Sequence, residues 1–169
     1  MQSAIRFVGG AAVLAASFLA ASRHVAEAAT ATTTMTVQVS IVATCTINSA
    51  STLNFGNSIG VLSANVDQQS TIQVTCTNTT PYNVGLNAGT GTGATVATRK
   101  LTSGANTINY TLYSNSGRTT VWGNTIGADT VAATGNGAAQ SYTVYGRIPP
   151  QTTPAPGSYT DTITVTVTY

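Results

Sequence analysis

The sequence is poor in charged residues and in the side chains that usually carry catalysis. Lysine, arginine, aspartate and glutamate make up 6% of the 169 residues. The one histidine, His24, and the one glutamate, Glu27, both lie before residue 29. An acid–base pair therefore has few candidates after that point, which argues against an enzyme. The low charge also leaves no basic field for nucleic acid. We expect no catalytic, cofactor or metal site.

Two features of the sequence resemble functional sites but have simpler structural interpretations. Gly89–Ala94 fits the pattern G-x-G-x-x-A, yet no helix is predicted after it, so a phosphate would have no helix N-terminus to bind. We interpret this segment as a hairpin loop. Asp161 falls on the core-facing parity of the last predicted strand. We interpret it as a strand-end residue that pairs with an arginine or a backbone N–H.

The first 28 residues are typical of a secretory signal peptide. Arg6 precedes an apolar run from Val8 to Ala21, and Ala26–Ala28 offers an A-x-A cleavage site. The run is too short for a transmembrane helix, which needs about 20 residues. We therefore expect export without stable membrane insertion, and a mature chain that begins near Ala29.

Cysteine occurs twice, at Cys45 and Cys76, which is an even pair in a chain expected to be exported. A disulfide is the simple interpretation. Each cysteine shares its parity with apolar neighbours, so both sulfurs should point into a core. A metal pair or a reactive thiol is the alternative interpretation.

Helical periodicity is nearly absent from the mature region, whereas short alternating segments recur between Gly, Asn, Ser and Pro residues. This pattern predicts one all-β domain, an antiparallel sandwich or barrel. The predicted strands are Thr34–Ile47, Thr52–Gly56, Ser70–Thr77, Tyr82–Asn87, Arg99–Leu101, Asn106–Ser114, Thr120–Trp122, Ala139–Ile148 and Ser158–Tyr169.

The first of these segments, Thr34–Ile47, is unusually long and regular for a strand. Val37, Val39 and Ile41 share one parity with Cys45 and Ile47, while threonine, glutamine and serine fill most of the other. One face is therefore meant for burial. The last segment alternates in the same way up to Tyr169. Exposed alternating edges are templates for pairing with another chain.

Several segments together resemble the spore coat protein U domain family, which includes the Csu-type subunits of archaic chaperone–usher pili. The resemblance covers essentially the whole mature chain and includes both cysteines in order and spacing. The segments that carry it are ATCTI at 43–47, LNFGN at 53–57, VTCTN at 74–78, PYNVGLN at 81–87, NYTLYS at 109–114, Arg118 with Trp122–Gly123, VYGRIP at 144–149 and PGSYTDTITVTVTY at 156–169.

The resemblance implies an incomplete immunoglobulin-like antiparallel β-sandwich with an N-terminal donor strand. It implies a signal peptide over 1–28, a donor extension over 29–42 and a pilin-like domain over 43–169. The donor residues would be Val37, Val39 and Ile41, with Met35 as a further candidate. The groove-edge strand, contacted by the chaperone, would carry four side chains: Ile163, Val165, Val167 and Tyr169.

The function implied is that of a structural subunit of a surface fibre or coat, with a role in adhesion or biofilm formation. Its partners would be identical or related pilin subunits, a periplasmic chaperone and an outer-membrane usher. Two alternatives stay open. One is a self-complemented coat protein whose residues 36–41 fill its own groove. The other is a carbohydrate-binding surface module that uses the tyrosines and Trp122.

Overall fold

The computed structural model describes residues 27–169, and the chain divides after Val39 into two units. The predicted signal peptide lies almost wholly outside the described residues. In the first unit, residues 27–39 are exposed and form no helix or strand. The second unit, residues 40–169, contains all of the regular secondary structure of the described part of the chain. Within that part, no helix is long and apolar enough to cross a membrane.

Eight strands build the second unit and form two antiparallel sheets. A five-stranded sheet has the order β1-β2-β7-β5-β4, and a three-stranded sheet has the order β6-β3-β8. This arrangement confirms the predicted all-β antiparallel sandwich. The strands are β1 (Cys45–Ala50), β2 (Val66–Cys76), β3 (Pro81–Leu86), β4 (Arg99–Ser103), β5 (Asn106–Tyr113), β6 (Val131–Thr134), β7 (Ala139–Ile148) and β8 (Val165–Thr168).

The core lies between the two sheets and uses the alternate residues that face inward. In the register of β2 with β7, Ile72 lies opposite Tyr142 and Val144 lies opposite Ser70, so both strands present an apolar row to β3. Twelve hydrophobic side chains are buried there, namely Leu62, Ile72, Val74, Cys76, Tyr82, Val84, Leu86, Tyr110, Leu112, Trp122, Val144 and Ile148.

The indole of Trp122 lies within this core. Its Nε1 donates a hydrogen bond to the carbonyl oxygen of Val84 at 2.8 Å, which satisfies the one polar group of the side chain. Because Trp122 is 1% exposed, its ring cannot serve as a platform for a sugar. The carbohydrate-binding alternative therefore loses its largest proposed side chain.

The first strand begins later than the alternating sequence predicts. Residues 34–44 form no strand, and β1 starts at Cys45, where β2 supplies main-chain partners. Ile47 was expected in this subunit's core but is 38% exposed. It pairs with the buried Val74 and so faces inward, but β1 is the outermost strand of its sheet.

The disulfide predicted from the two cysteines is present. Cys45 and Cys76 lie directly opposite each other in β1 and β2, with Cα atoms 4.1 Å apart and sulfurs bonded at 2.04 Å. Cys76 is buried and Cys45 is half-buried. The bridge therefore fixes the start of β1 to the end of β2 from the inner side of the sheet.

Candidate functional site: an apolar groove beside the last strand

The last strand, β8, has a neighbour on one side only among the described residues. It pairs with β3 from Asn83 to Leu86, and it is the outermost strand of the three-stranded sheet. Its inward-facing Val165 and Val167 are half-buried, as is Ile163 just before it, and Tyr169 is 60% exposed. On β3, by contrast, every inward side chain is buried. The observed edge strand, Val165–Thr168, is thus shorter than the predicted Ser158–Tyr169. A gap between the two sheets lies beside it.

That gap is an apolar groove between the two sheets. One cavity of about 300 Å³ lies beneath the segment that leads into β8 and reaches the core, and most of its lining is aliphatic or aromatic. A second cavity of about 760 Å³ extends it toward the chain segments 52–62 and 153–161. The two share their central lining, which is Thr52, Leu53, Phe55, Leu101 and Asp161. The two cavities therefore form one continuous groove.

The opposite wall of the groove follows from an irregularity in β1. The register between β1 and β2 shifts between Ile47 and Ser49, so that Ala50 comes to lie opposite Ile72. Ala50 and the residues after it then line the smaller cavity together with Ile72. The groove thus has two uncovered strand edges near its mouth, one on β1 and one on β8.

Asp161 is held at the junction of the two cavities. Its Oδ1 accepts hydrogen bonds from N of Thr90 at 2.8 Å, Oγ1 of Thr90 at 2.9 Å and N of Thr162 at 2.7 Å. Its Oδ2 accepts one from the hydroxyl of Tyr110 at 2.7 Å. Burial, and then this bond, raise the pKa of the Tyr110 hydroxyl. The interpretation of Asp161 as a residue paired with a backbone N–H is therefore correct.

The glycine-rich segment 89–94 closes around this carboxylate and forms no phosphate cradle on a helix. At Gly89, where φ is +84°, an added Cβ would lie 2.1 Å from Oδ2 of Asp161. Glycine is required here both by the positive φ and by the close approach. Within residues 27–169 there is also no cluster of three or more metal-ligating side chains.

The predicted donor residues are exposed apolar side chains outside any strand. Val37 is 82% exposed, Val39 is 88% and Ile41 is 80%, and Met35 on the same parity is 84% exposed. Single exposed apolar residues are common on proteins, but a regular row of them is not. The described residues therefore contain an uncovered apolar segment as well as an unfilled apolar groove.

Comparison with known proteins identifies the family. Residues 31–166 match the model of the Spore Coat Protein U domain. The chain belongs to this family. Protein U of Myxococcus xanthus is 32% identical over 182 residues, which cover 99% of this chain and 100% of that protein. The family resemblance stated from the sequence is therefore confirmed.

A solved structure with the same kind of fold is the CsuC–CsuE chaperone–tip adhesion subunit pre-assembly complex from archaic chaperone–usher Csu pili of Acinetobacter baumannii. The matched chain is 28% identical with a TM-score of 0.55, over 76% of this chain and 40% of that chain. The spore coat protein U chain thus spans two fifths of the length of that relative. The matched family is thus named for a spore coat protein, and the matched structure comes from a pilus assembly complex.

The residues between the exposed segment and β1 are held by Thr77. The main-chain N of Thr77 donates to the carbonyl oxygen of Thr44 at 2.9 Å. Its hydroxyl accepts from N of Thr44 at 3.0 Å and lies 3.3 Å from the carbonyl oxygen of Val42. Residues 42–44 are therefore held to the end of β2, directly before the disulfide. No sequence pattern indicated this anchor.

A buried arginine donates hydrogen bonds to main-chain carbonyls beside the groove. Arg99 at the start of β4 is 0% exposed, and its guanidinium donates to the carbonyl oxygens of Leu86, Asn87, Val96 and Trp122 at 2.7–3.0 Å. Burial lowers the pKa of Arg99 from its ordinary value, and the nearby Tyr110, Asp161 and Asp129 partly offset that effect. No pattern in the sequence indicated that this arginine would be internal.

Proposed function

We propose that this chain is a structural subunit of a surface fibre or coat, in which residues 35–41 of one copy fill the groove of the next. The observation that carries the proposal is the presence, in one chain, of an unfilled apolar groove beside β8 and an exposed row of apolar side chains. Strand addition gives affinity through main-chain hydrogen bonds and specificity through alternate side-chain pockets.

The two partners match in length and spacing. Met35 to Ile41 spans six residue steps, and so does Ile163 to Tyr169, or roughly 20 Å each in an extended strand. Both segments carry their apolar side chains on every second residue. A strand added at the free edge of β8 would therefore set its inward side chains along the groove in step with those of β8.

The burial gained is large compared with the stability of a small domain. Three or four aliphatic side chains at roughly 1.5–3 kcal/mol each contribute on the order of 5–12 kcal/mol. The total stability of a small domain is usually about 5–15 kcal/mol. A subunit with an empty groove should therefore be marginally stable, and filling the groove should stabilise it strongly.

The anchor at Thr77 supports donation to a second copy. To reach its own groove, the donor would have to reverse direction within residues 42–44, which already bond to Thr77. Reaching outward requires no such reversal. Head-to-tail donation between copies does not close a ring, and so produces a filament.

The exposed groove also accounts for the proposed partners and location. A subunit in transit exposes its groove until the next copy arrives, so a periplasmic chaperone that lends a strand would keep it folded. The similar solved structure is itself a chaperone–subunit complex. Export through the signal peptide predicted over residues 1–28, passage through an outer-membrane usher and a final place on the cell surface complete the proposal.

Donor variants of the full chain test the proposal. The triple substitution Val37→Ser, Val39→Ser and Ile41→Ser removes the inward row, while the control Thr36→Ser and Gln38→Ser changes the opposite face. Each would be co-expressed with a periplasmic chaperone of a chaperone–usher pathway, and the products would be analysed by size-exclusion chromatography and negative-stain microscopy.

We expect polymers from the wild type and from the control, and only monomer or chaperone-bound subunit from the triple variant. Polymers of normal length from the triple variant would overturn the proposal. A wild-type chain that stays a stable monomer by light scattering, without a chaperone, would instead favour the self-complemented coat protein.

A further inference from the structure

Asp161 is the one residue with a formal charge among those that line the two cavities of the groove. The rest of the lining is apolar or neutral. A charge in such a place is unusual, because a carboxylate is costly to remove from water unless it has partners. Once a donor strand covers the groove, this carboxylate loses much of its remaining access to solvent.

The position of the carboxylate is fixed. Four hydrogen bonds hold it, and the backbone of Gly89 passes so close that a methyl group there would meet the carboxylate oxygens. The side chain therefore cannot turn away when a strand enters. Its negative charge stays at the junction of the two cavities.

No ion pair reaches this carboxylate among residues 27–169, where the ion pairs involve Asp67 with Arg118 and Arg147. Lys100 donates to the carbonyl oxygen of Thr92 at 3.0 Å. The buried guanidinium of Arg99 acts on Asp161 through its charge alone, because its hydrogen bonds go to main-chain carbonyls. The hydrogen bonds to the carboxylate oxygens therefore all come from neutral hydroxyl and N–H groups.

The proposed donor segment suits this environment. Residues 29–42 contain no aspartate or glutamate, and their polar side chains are threonine, glutamine and serine. We propose that Asp161 is a specificity-determining residue of the groove, which rejects strands that bring a carboxylate to the cavity junction. This inference rests on the proposed function and concerns which strands the groove accepts.

The physical basis is repulsion between two like charges in a site that the incoming strand shields from water. Such repulsion is stronger there than at an exposed surface, because solvent screening is reduced. It depends on position, so it should act at the donor residue that lies beside Asp161 and fade at residues farther along the strand.

A double-mutant cycle isolates this effect from the general cost of a polar group in an apolar groove. The acceptor is the full chain with Val37→Ser, Val39→Ser and Ile41→Ser, which cannot donate. It is compared with the same chain carrying Asp161→Asn, which keeps an oxygen for the Thr90 and Thr162 donors. The probes are fluorescent peptides of residues 29–42 with Glu or Gln at position 35, 37, 39 or 41, and dissociation constants are measured by anisotropy.

We expect at least a tenfold larger Glu-to-Gln difference in affinity at one position when Asp161 is present than when it is Asn. A coupling below twofold at all four positions would overturn the inference. If the unmodified peptide fails to bind either acceptor, the proposed function itself fails. Circular dichroism and the thermal midpoint of both acceptors show whether Asp161→Asn leaves the fold intact.

Discussion

Replacing Arg99 should destabilise the domain more than most single substitutions. Its guanidinium lies in the core and donates to four main-chain carbonyl oxygens, those of Leu86, Asn87, Val96 and Trp122. These carbonyls belong to the end of β3 and to two loops. The arginine therefore replaces the strand partners that irregular backbone lacks.

The size of the stability loss depends on how many carbonyl oxygens each substitution leaves without a donor. Arg99→Met fills similar space but removes every donor, and a buried acceptor without a partner costs about 1–3 kcal/mol. Removing the buried charge also removes its desolvation cost, which offsets part of this loss of stability. We therefore expect a net loss of about 3–5 kcal/mol. Arg99→Lys keeps a charge but lacks the planar fork, so it should lose roughly half as much.

Urea unfolding of the oxidised full chain, followed by tryptophan fluorescence, measures the effect. Trp122 is buried beside the arginine and reports directly on this region. At a slope of about 1–3 kcal/mol per molar urea, the midpoint for Arg99→Met should fall by about 1–5 M. Lys100→Met, at the half-buried neighbouring position, loses one hydrogen bond to a main-chain carbonyl. It is the comparison variant and should shift the midpoint much less. A loss below about 1 kcal/mol for Arg99→Met would refute this account.

Three further predictions concern the sandwich itself. Hydrogen bonding to Arg147 lowers the pKa of Asp67 below its ordinary value of 3.8, so this pair stabilises the fold above that pH and the benefit is lost as pH falls through the lowered pKa. The acid limb of the thermal midpoint should therefore flatten in Asp67→Asn. Replacing Cys45 and Cys76 with serine opens a loop with a sequence separation of 31 and should cost about 3–4 kcal/mol, measured by urea unfolding. Gly135→Ala places a Cβ against the main-chain oxygen of Thr77 and should cost about 1–3 kcal/mol in the same assay. Gly60→Ala, where no atom lies within 4 Å, is the comparison for space alone.

Local alternation was enough to predict most of the sheet. The limits of Ala139–Ile148 agree with the structure, and the segments that became β2, β3 and β5 were also identified. Each combines a period of two with turn residues at both ends, so pattern and tertiary environment agree. The disulfide followed from an even pair of cysteines in a chain expected to be exported, and parity predicted that both sulfurs point inward.

Elements that depend on distant partners could not be predicted in this way. Residues 34–44 alternate well but have no neighbouring strand in the described structure, and Thr120–Trp122 forms only an isolated bridge through Val121. Conversely, Val131–Thr134 has weak alternation but pairs with β3. Main-chain partners, and not side-chain pattern, decided all three cases.

The groove was predicted only in outline, for a related reason. The resemblance implied a missing strand, but the position of Asp161 at the cavity junction depends on Thr90 and Tyr110, which lie 71 and 51 residues away in sequence. Similarly, nothing near Arg99 in sequence shows that four carbonyls will converge on it. Long-range hydrogen bonds of this kind leave no periodic signal.

Three features of the described chain are unfavourable for an isolated soluble protein, and the proposed assembly would account for each. A charge content of 6% gives little repulsion between copies, the exposed row from Met35 to Ile41 favours association, and β8 has an unpaired edge among the described residues. In the proposed head-to-tail fibre, the exposed row of one copy would cover the β8 edge of another, so neither would stay exposed. Low charge would then favour close contact between neighbouring copies. The proposal also implies that the groove is covered during export, because a free subunit would present all three features at once.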